Sequence, residues 1–597
     1  MIITSEDRIS IERDFKIEAG PGAGKTELLV NHIKNVLQNS TRMACTRKIA
    51  CITYTNTAVE TILKRLGKGV SDKVEVSTIH SFLYNNVVKP YCSFIPDKYE
   101  VCCKKINGHD DFYVSNRYIK EWFENKALDS LKHPNSKNQL LSLPSLNQAL
   151  KNWLLSVKCT YENGDIKFYC DNTKALGFDK DNKRMGINAK NLQILSGQLM
   201  ELKKIYWRKG RLDHNDVLFF SYVLINEHPF VLDILRAKFP YMFVDEYQDT
   251  NPVQSFILDE IRKKETVVGV IGDKAQSIYS FQGAVPTLFD AFNVSEDGVF
   301  TIQDNHRSTK QIVKLLNDIR SDIHQEPKNN TEGIDVYLYV GKRNVAYYQS
   351  LNVCGGKSVE SLSRDNVTSN AMKKDVDGIH LNKKLIEQFE NADGNSDRRK
   401  YLLSFIQAIE LAINGKYKEA LKQIEWIFRS EKEPRKTALA HLAKIISVYD
   451  SFYNDTLMNF YNIFCSLLEI KLPAFKKGAA KDFYSGNLYK NIAICINIVE
   501  DTSSHITIHK AKGSEYENVL VINDQIITFL CSPNLHGNEE HRVIYVAISR
   551  AKKRLFLHVD DLTKKDEETI KQKYAYMHIK RLEKETTKIC VPQNSYT

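Results

Sequence analysis

Residues 15–33, FKIEAGPGAGKTELLVNHI, leave little freedom to the chain that contains them. A short apolar run (Phe15, Ile17) enters a glycine-rich loop, and an apolar-periodic segment (Leu28, Leu29, Ile33) leaves it. Strand, loop and helix in that order make a P-loop. Ala19, Gly20, Pro21, Gly22, Ala23 and Gly24 form the loop. Its glycines leave backbone N–H groups open to phosphate oxygens at a helix N-terminus. Lys25 would neutralise the terminal phosphates, and the Thr26 hydroxyl would ligate Mg²⁺. The strict pattern has glycine where this chain has Ala19; alanine fits if that position needs no positive φ. An ordinary glycine-rich turn before a helix is the alternative. It does not explain why strand, loop, Lys-Thr and helix all fall in order.

A phosphate cradle of this kind needs an acid on a neighbouring strand. The stretch YMFVDEYQDT (241–250) reads as a buried strand that ends in Asp245 and Glu246. Asp245 would hold Mg²⁺ through water as the partner of Thr26. Glu246 would orient and deprotonate the attacking water, because in-line attack on a γ-phosphate needs a positioned base. Solvated acids at a strand end are the alternative, and they leave the P-loop in the same chain unexplained.

Together these motifs resemble the UvrD/Rep family of superfamily 1 helicases. Further stretches match in the family's order: CITYTNTAVETILKRL (51–66), VSTIHSFLYNNVV (76–88), VIGDKAQSIYSFQGA (270–284), TIQDNHRSTKQIVKLL (301–316), ITIHKAKGSEYENVLVI (506–522) and EEHRVIYVAISRAKKRLFL (539–557). The resemblance implies an α/β fold of two RecA-like parallel-sheet domains, each interrupted by a mainly helical accessory subdomain, with ATP and Mg²⁺ between them. It also assigns roles. Gln276 would sense the γ-phosphate, Arg307 and Arg550 would act as arginine fingers, Glu515 would contact the ribose, and His306 would lie at the base. Arg550 follows the apolar VIYVAIS, read as a strand; a surface cation among Lys552, Lys553 and Arg554 is the alternative.

By motif position Tyr54, Tyr279 and Phe281 are candidates for base stacking, which contributes about 1–3 kcal/mol per base regardless of sequence. For Tyr279 core packing is an equal alternative; Phe281 lies beyond the apolar run, in a loop. Asn56, Thr78, His80 and His509 are candidates for contacts to the nucleic-acid backbone. None of these groups carries a base code. The chain also departs from the family. No glutamine precedes Gln38, so the adenine-reading segment before the P-loop is missing. His306 replaces an aromatic, Gln282 an arginine and Ser514 a leucine.

The motifs partition the 597 residues. Residues 1–88 and 200–290 are expected to form the first RecA-like domain, with a helical insertion at 89–199. Residues 291–375 and 490–560 form the second, with a helical insertion at 376–489. The second insertion is shorter than is usual in the family, which favours translocation over strand separation. Within it the basic, aromatic stretch KLPAFKKGAAKDFYSG (471–486) is either a duplex contact or a solvated loop. The tail, 561–597, reads as one helix and a frayed end without a nuclease's carboxylate–lysine cluster, so any cutting is left to a partner.

Composition excludes little but agrees. Charged residues make up 26% of the chain and its net charge is +11, compatible with nucleic acid. No apolar run of eighteen residues is present, and the N-terminus is too charged for a signal peptide. The twelve cysteines contain no C-x-x-C pair, as expected for free thiols in a reducing cytoplasm. The expected function is an ATP-driven 3′–5′ translocase or helicase on single-stranded or tailed duplex DNA. The alternative is a DNA-stimulated ATPase that regulates a nuclease partner in antiphage defence of the Gabija type. A P-loop enzyme of small molecules is the remote third reading.

Overall fold

The computed structural model describes residues 1–67, 72–131, 136–178, 183–329, 331–376, 381–475, 478–496 and 503–582. The chain divides into two units, Met1–Gln303 with Asn382–Glu500 and Asp304–Leu381 with Asp501–Thr597.

The first unit contains strands β1 (Ile2–Ile3), β2 (Phe15–Ala19), β3 (Ile49–Thr53) and β4 (Val74–Thr78), then two hairpins, β5 (Lys158–Glu162) with β6 (Asp165–Tyr169) and β7 (Leu176–Phe178) with β8 (Arg184–Gly186). Strands β9 (Tyr241–Val244), β10 (Val267–Gly272) and β11 (Val299–Ile302) complete it. Seven of these form one sheet in the order β1-β11-β2-β10-β9-β3-β4, and every pair is parallel. Parallel strands are covered on both faces, which is why IACIT, YMFV and VVGVIG are apolar almost throughout and fully buried.

The helix Lys25–Asn39 covers one face with Leu28, Leu29, Ile33 and Val36. On the other face one continuous core runs from Ile52 and Val244 through Leu224 and Ile257 to Trp122 and Trp153. The first insertion therefore shares its core with the sheet. It is helical at Asn116–Phe123 and Pro144–Leu155, as expected of a helical insertion, but also carries the two hairpins. Just beyond the insertion, Lys203 is buried between Asp213 and Asp216, where the carboxylates offset the desolvation of the ammonium.

The second insertion is built from helices, among them Leu385–Ala392, Ser396–Ile413, Pro434–Ile446 and Leu457–Leu468, around a separate core of Phe405, Phe452, Phe460 and Phe464. Buried Glu410 accepts from the Tyr449 and Tyr489 hydroxyls at 3.2 and 3.0 Å. In the basic stretch Phe475 packs on the Arg398 guanidinium, 4.1 Å from its ring centroid, and Tyr484 is buried against Asp393. Part of that stretch is therefore core; Lys476 and Lys477 lie outside the described residues.

The second unit pairs β12 (Asp304–Asn305) with β13 (Glu326–Pro327). Its main sheet contains β14 (Tyr337–Val340), β15 (Glu360–Ser363), β16 (His505–Thr507), β17 (Tyr516–Ile522), β18 (Ala551–Val559) and β19 (His578–Arg581). Their order is β16-β15-β17-β18-β14-β19, again all parallel. Two expectations are corrected here. VIYVAIS is not a strand: it lies mainly in the helix Glu539–Ile548, whose residues Val543–Ile548 are buried on every side. A short continuous apolar run fits a buried helix as well as a buried strand. The tail is also more than a helix with a frayed end. After the helix Lys564–Lys573, β19 joins the sheet beside β14. No single helix among the described residues is long and apolar enough to cross a membrane.

Beneath the P-loop helix, the His32 ring lies against Phe15 and Phe243, with centroids 5.0 and 4.9 Å away. Neither ring nitrogen has a hydrogen-bond partner. Burial pushes its pKa down to about 4. The folded chain thus refuses a proton that the unfolded chain accepts near pH 6.5, and stability falls as pH drops from there towards 4. The ceiling of this effect is about 3 kcal/mol. His32→Leu is expected to shrink the loss of melting temperature between about pH 7 and pH 5. An equal loss in both proteins would place the acid sensitivity elsewhere, for instance at His558, also buried and pushed down to about 4.

Candidate nucleotide site and its neighbours

Register decides what meets along the first sheet. Glu18 lies opposite Gly272, and Val244 opposite Val270. Because all strands run the same way, the segments leaving β2, β3, β4, β9 and β10 emerge at one edge. They are the P-loop, Tyr54–Asn56, Thr78–His80, Asp245–Glu246 and the run from Asp273 to Ala284. Ligands of open α/β sheets bind at such carboxyl ends.

Ala19 is the last residue of β2, fully buried and without positive φ, so the alanine at that position is unstrained. The left-handed turns fall at Gly22 (φ 72°) and Gly24 (φ 84°). A Cβ on Gly24 would lie 2.8 Å from Ser5 Cβ, so a side chain there meets both strain and a clash. Lys25 Nζ donates to the Ala19 carbonyl at 3.1 Å, which folds the ammonium back over the loop. Thr26 is in the first turn of the helix Lys25–Asn39.

Asp245 is buried, and its Oδ1 accepts the Glu246 N–H at 3.0 Å. Glu246 has φ 57° and ψ 36°, a left-handed conformation that non-glycine residues rarely adopt and that gathers at functional sites. Its carboxylate accepts from Gln248 Nε2. Gln248 Oε1 accepts the Asp273 N–H at 2.9 Å, and Asp273 Oδ2 accepts from Gln276 Nε2 at 2.7 Å. The Gln248 carbonyl takes the Ser277 hydroxyl at 3.1 Å. A Cβ on Gly272 would lie 2.6 Å from Gln248 Oε1, so glycine there lets the amide in. Glu246 and Gln276 are thus joined by hydrogen bonds through Gln248 and Asp273, the latter two buried and given no role by sequence reasoning. The amide at 248 and the acid closing β10 were their visible signals.

The polymer-facing candidates differ in how they are held. Phe281 is 54% exposed, and its ring is 5.8 Å from that of Tyr279, which is half-buried. Tyr54 is tethered through its hydroxyl to Thr250 Oγ1 (2.7 Å) and Gln254 Oε1 (2.9 Å), and its ring packs on the main core. Burial raises its pKa well above the usual phenol value. Asn56 is exposed at the start of the helix Asn56–Leu66. The Thr78 hydroxyl caps the short helix Ile79–Leu83 by accepting the Ser81 N–H. His80 is pushed down to about 3 by burial and by His214 and His109, so it stays neutral. The His80 and His214 ring centroids are 5.1 Å apart.

In the second unit a different edge is populated. Tyr516 and Ala551 are paired where β17 and β18 begin, and the residues just before them are Glu515 and Arg550. Glu515 binds Arg307 Nε at 2.7 Å and Lys552 Nζ at 2.9 Å. Burial opposes its charge, but the two cations hold the carboxyl down at about 2. Arg307 also donates to the Ser549 carbonyl at 3.0 Å. Arg550 is buried, donating to the Val546 carbonyl at 3.1 Å and the Ser514 carbonyl at 3.3 Å, so it is no surface cation. His306 is exposed, 3.5 Å from Asp304. His509 follows β16 at the opposite, C-terminal edge.

A parallel sheet that ends in a P-loop, an acid pair and a glutamine loop along one edge defines a P-loop nucleotide-binding domain. The chain belongs to the UvrD/Rep family of superfamily 1 helicases: residues 5–297 match the UvrD/REP helicase N-terminal domain and residues 357–561 the UvrD-like helicase C-terminal domain. It is similar to the ATP-dependent DNA helicase PcrA of Bacillus subtilis, at 23% identity over 90% of this chain and 80% of that protein. It is also similar to the Gabija protein GajB of Bacillus cereus, at 26% identity over 54% of this chain and 49% of GajB. The ATP-dependent DNA helicase srs2 of Schizosaccharomyces pombe is 27% identical over 55% of this chain and 35% of srs2. The chain thus spans less than two thirds of each of the last two.

A Mg²⁺ ion fits the donors present. No group of three or more His, Cys, Asp or Glu among the described residues could hold a metal. Thr26 and Asp245 offer hard oxygens, and Mg²⁺ is commonly held by one or two protein oxygens with water and substrate phosphates.

If the site hydrolyses ATP with Glu246 as its base and Gln248 aligns Glu246 with Gln276, Gln248→Leu should lower the ATPase kcat by about tenfold or more, because a positioned base contributes at least that much. KM for ATP should change little. Steady-state hydrolysis at saturating ATP measures it; an unchanged kcat in a folded variant would remove Gln248 from the network.

Proposed function

We propose that the protein is an ATP-driven DNA translocase that moves 3′→5′ on single-stranded DNA and separates strands. The observation that carries this reading is the single edge of the first sheet, where the P-loop, Asp245–Glu246, the Gln276 loop and exposed Phe281 emerge together. Family membership supports the polymer substrate.

In this reading the loop 19–24 and Lys25 hold the β- and γ-phosphates. Thr26 and Asp245 would hold Mg²⁺, which neutralises phosphate charge when bound. Glu246 takes the proton of the attacking water. Gln276 contacts the γ-phosphate, and its loop leads directly to Tyr279 and Phe281, so the hydrolytic state reaches the stacked base through one short segment. The family resemblance gives Arg307 and Arg550 the part of arginine fingers, a role worth about 10³–10⁵ in rate, and gives Glu515 the ribose and His306 the base. Asn56, Thr78, His80 and His509 contact the nucleic-acid backbone, and Tyr54 supports the track.

Single-stranded DNA is expected to raise the ATPase rate strongly, and Lys25→Ala or Glu246→Gln to reduce it by about a hundredfold or more. A rate unchanged by DNA would overturn the reading. The similarity to GajB over half of this chain favours one second reading, a DNA-stimulated ATPase that regulates a nuclease partner. Strand displacement from a 3′-tailed duplex, with a 5′-tailed control, separates the two. Stimulated hydrolysis without displacement supports the regulator.

A further inference from the structure

The run that bears Tyr279 and Phe281 has one cation of its own, Lys274 at its start, which is paired with Asp290 at 2.9 Å; between Lys274 and Arg307 the sequence contains neither lysine nor arginine. A cation reaches it from the first insertion. Lys158, the first residue of β5, donates from Nζ to the Ser280 carbonyl at 3.1 Å. A Cβ built on Gly283 would be 3.7 Å from Lys158 Cδ, so the lysine stem lies along the loop and its head caps it.

The base of this lysine is rigid. Asn215, in the helix His214–Glu227, accepts the Cys159 N–H at 3.0 Å and donates to the Val157 carbonyl at 3.3 Å, clamping the chain on both sides of Lys158. Further along the hairpin, the Tyr161 ring lies 4.4 Å from Phe256 in the helix Pro252–Arg262. The Tyr222 hydroxyl donates to the Gly164 carbonyl in the hairpin turn at 3.1 Å. The same helix Pro252–Arg262 begins at the capping box of Asn251 and Gln254, just beyond the acid pair. Lys158 therefore leaves a strand fixed to two helices that share a core with the first sheet, and ends on the loop carrying the exposed aromatic.

We propose that Lys158 is a positioning residue for DNA. It holds the Ser280 carbonyl so that Phe281 is presented to the polymer, and it supplies positive charge beside the aromatic pair, where the stretch after Lys274 has none. This rests on the DNA-stimulated reading above, so the test has two independent arms, both on the full chain. In the first, oligo(dT) is titrated into the ATPase assay. Lys158→Met is expected to raise the oligo(dT) concentration for half-maximal stimulation by about tenfold, the size of one charge-assisted hydrogen bond. The rate at saturating oligo(dT) should change much less, and Lys158→Arg should restore the midpoint. In the second arm Phe281→Trp places a reporter in the loop, and acrylamide quenching is read without DNA. Adding Lys158→Met should change the quenching of the introduced indole, and adding Lys158→Arg should not.

Wild-type midpoints in Lys158→Met, with unchanged quenching, overturn the proposal. So does a joint loss of midpoint and maximal rate that Lys158→Arg fails to rescue, since that pattern marks a residue needed only for folding. If oligo(dT) leaves the wild-type rate unchanged, the DNA-stimulated reading is lost, and the quenching arm alone then decides whether Lys158 sets the loop.

Discussion

The common direction of the strands in the first sheet is the constraint on which the rest depends. A parallel strand cannot be reached from its neighbour by a tight turn, so every connection crosses a face and every carboxyl end opens on one edge. β2, β9 and β10 are adjacent, and together they deliver the phosphate loop, the acid pair and the glutamine loop to neighbouring positions. Reversing one strand would send its motif to the far edge while leaving the apolar core nearly intact. Local sequence makes each motif; sheet direction makes them a site.

What then joins the motifs is a chain of side-chain hydrogen bonds. Gln248 reaches Glu246 on one side and the start of the Asp273 loop on the other, and it is buried with no water-facing alternative. A buried amide left unpaired costs about 1–3 kcal/mol, so the arrangement with both contacts made is strongly preferred over either half alone. The left-handed backbone at Glu246 belongs to the same account. A residue held in that conformation needs surroundings that over-determine it, and the Asp245 carboxylate and the Gln248 amide supply them. In the second unit Glu515 has a comparable part. It gathers Arg307 and Lys552 beside the buried Arg550, so cations that would otherwise repel are held around one carboxylate.

The sheets and their order-defining motifs were largely legible, because parallel strands write themselves as apolar runs and the P-loop has a fixed grammar. Phe15–Ala19 and Tyr241–Val244 are strands where the sequence suggests them. Legibility failed where burial erased periodicity. Val543–Ile548 is apolar on all sides, so nothing in the spacing separates helix from strand. β19 failed for the opposite reason: HIKR is polar, mostly exposed and at a sheet edge, and only its pairing with β14 makes it a strand. The two hairpins of the first insertion were missed because their strands are short and flanked by clear helices. Gln248, Asp273 and Lys158 could not be read as a group, since their contacts span up to 122 residues of sequence.

The same distance argument bears on how the departures from the family pattern are absorbed. Ala19 needs no compensation, because it sits at a strand end where the backbone is extended. Glutamine at 282 is different. It leaves the stretch from Ala275 to Ala284 without a cation, and under the proposed reading, in which a base stacks on Phe281, charge beside it comes from elsewhere in the fold. A lysine on a hairpin held by Asn215 and Phe256 can meet that need only because the insertion shares its core with the sheet. Had the insertion been an independent lobe, each of its fluctuations would have carried the ammonium away from the Ser280 carbonyl. The fused core thus gives the insertion a fixed place from which to act on the loop that follows β10.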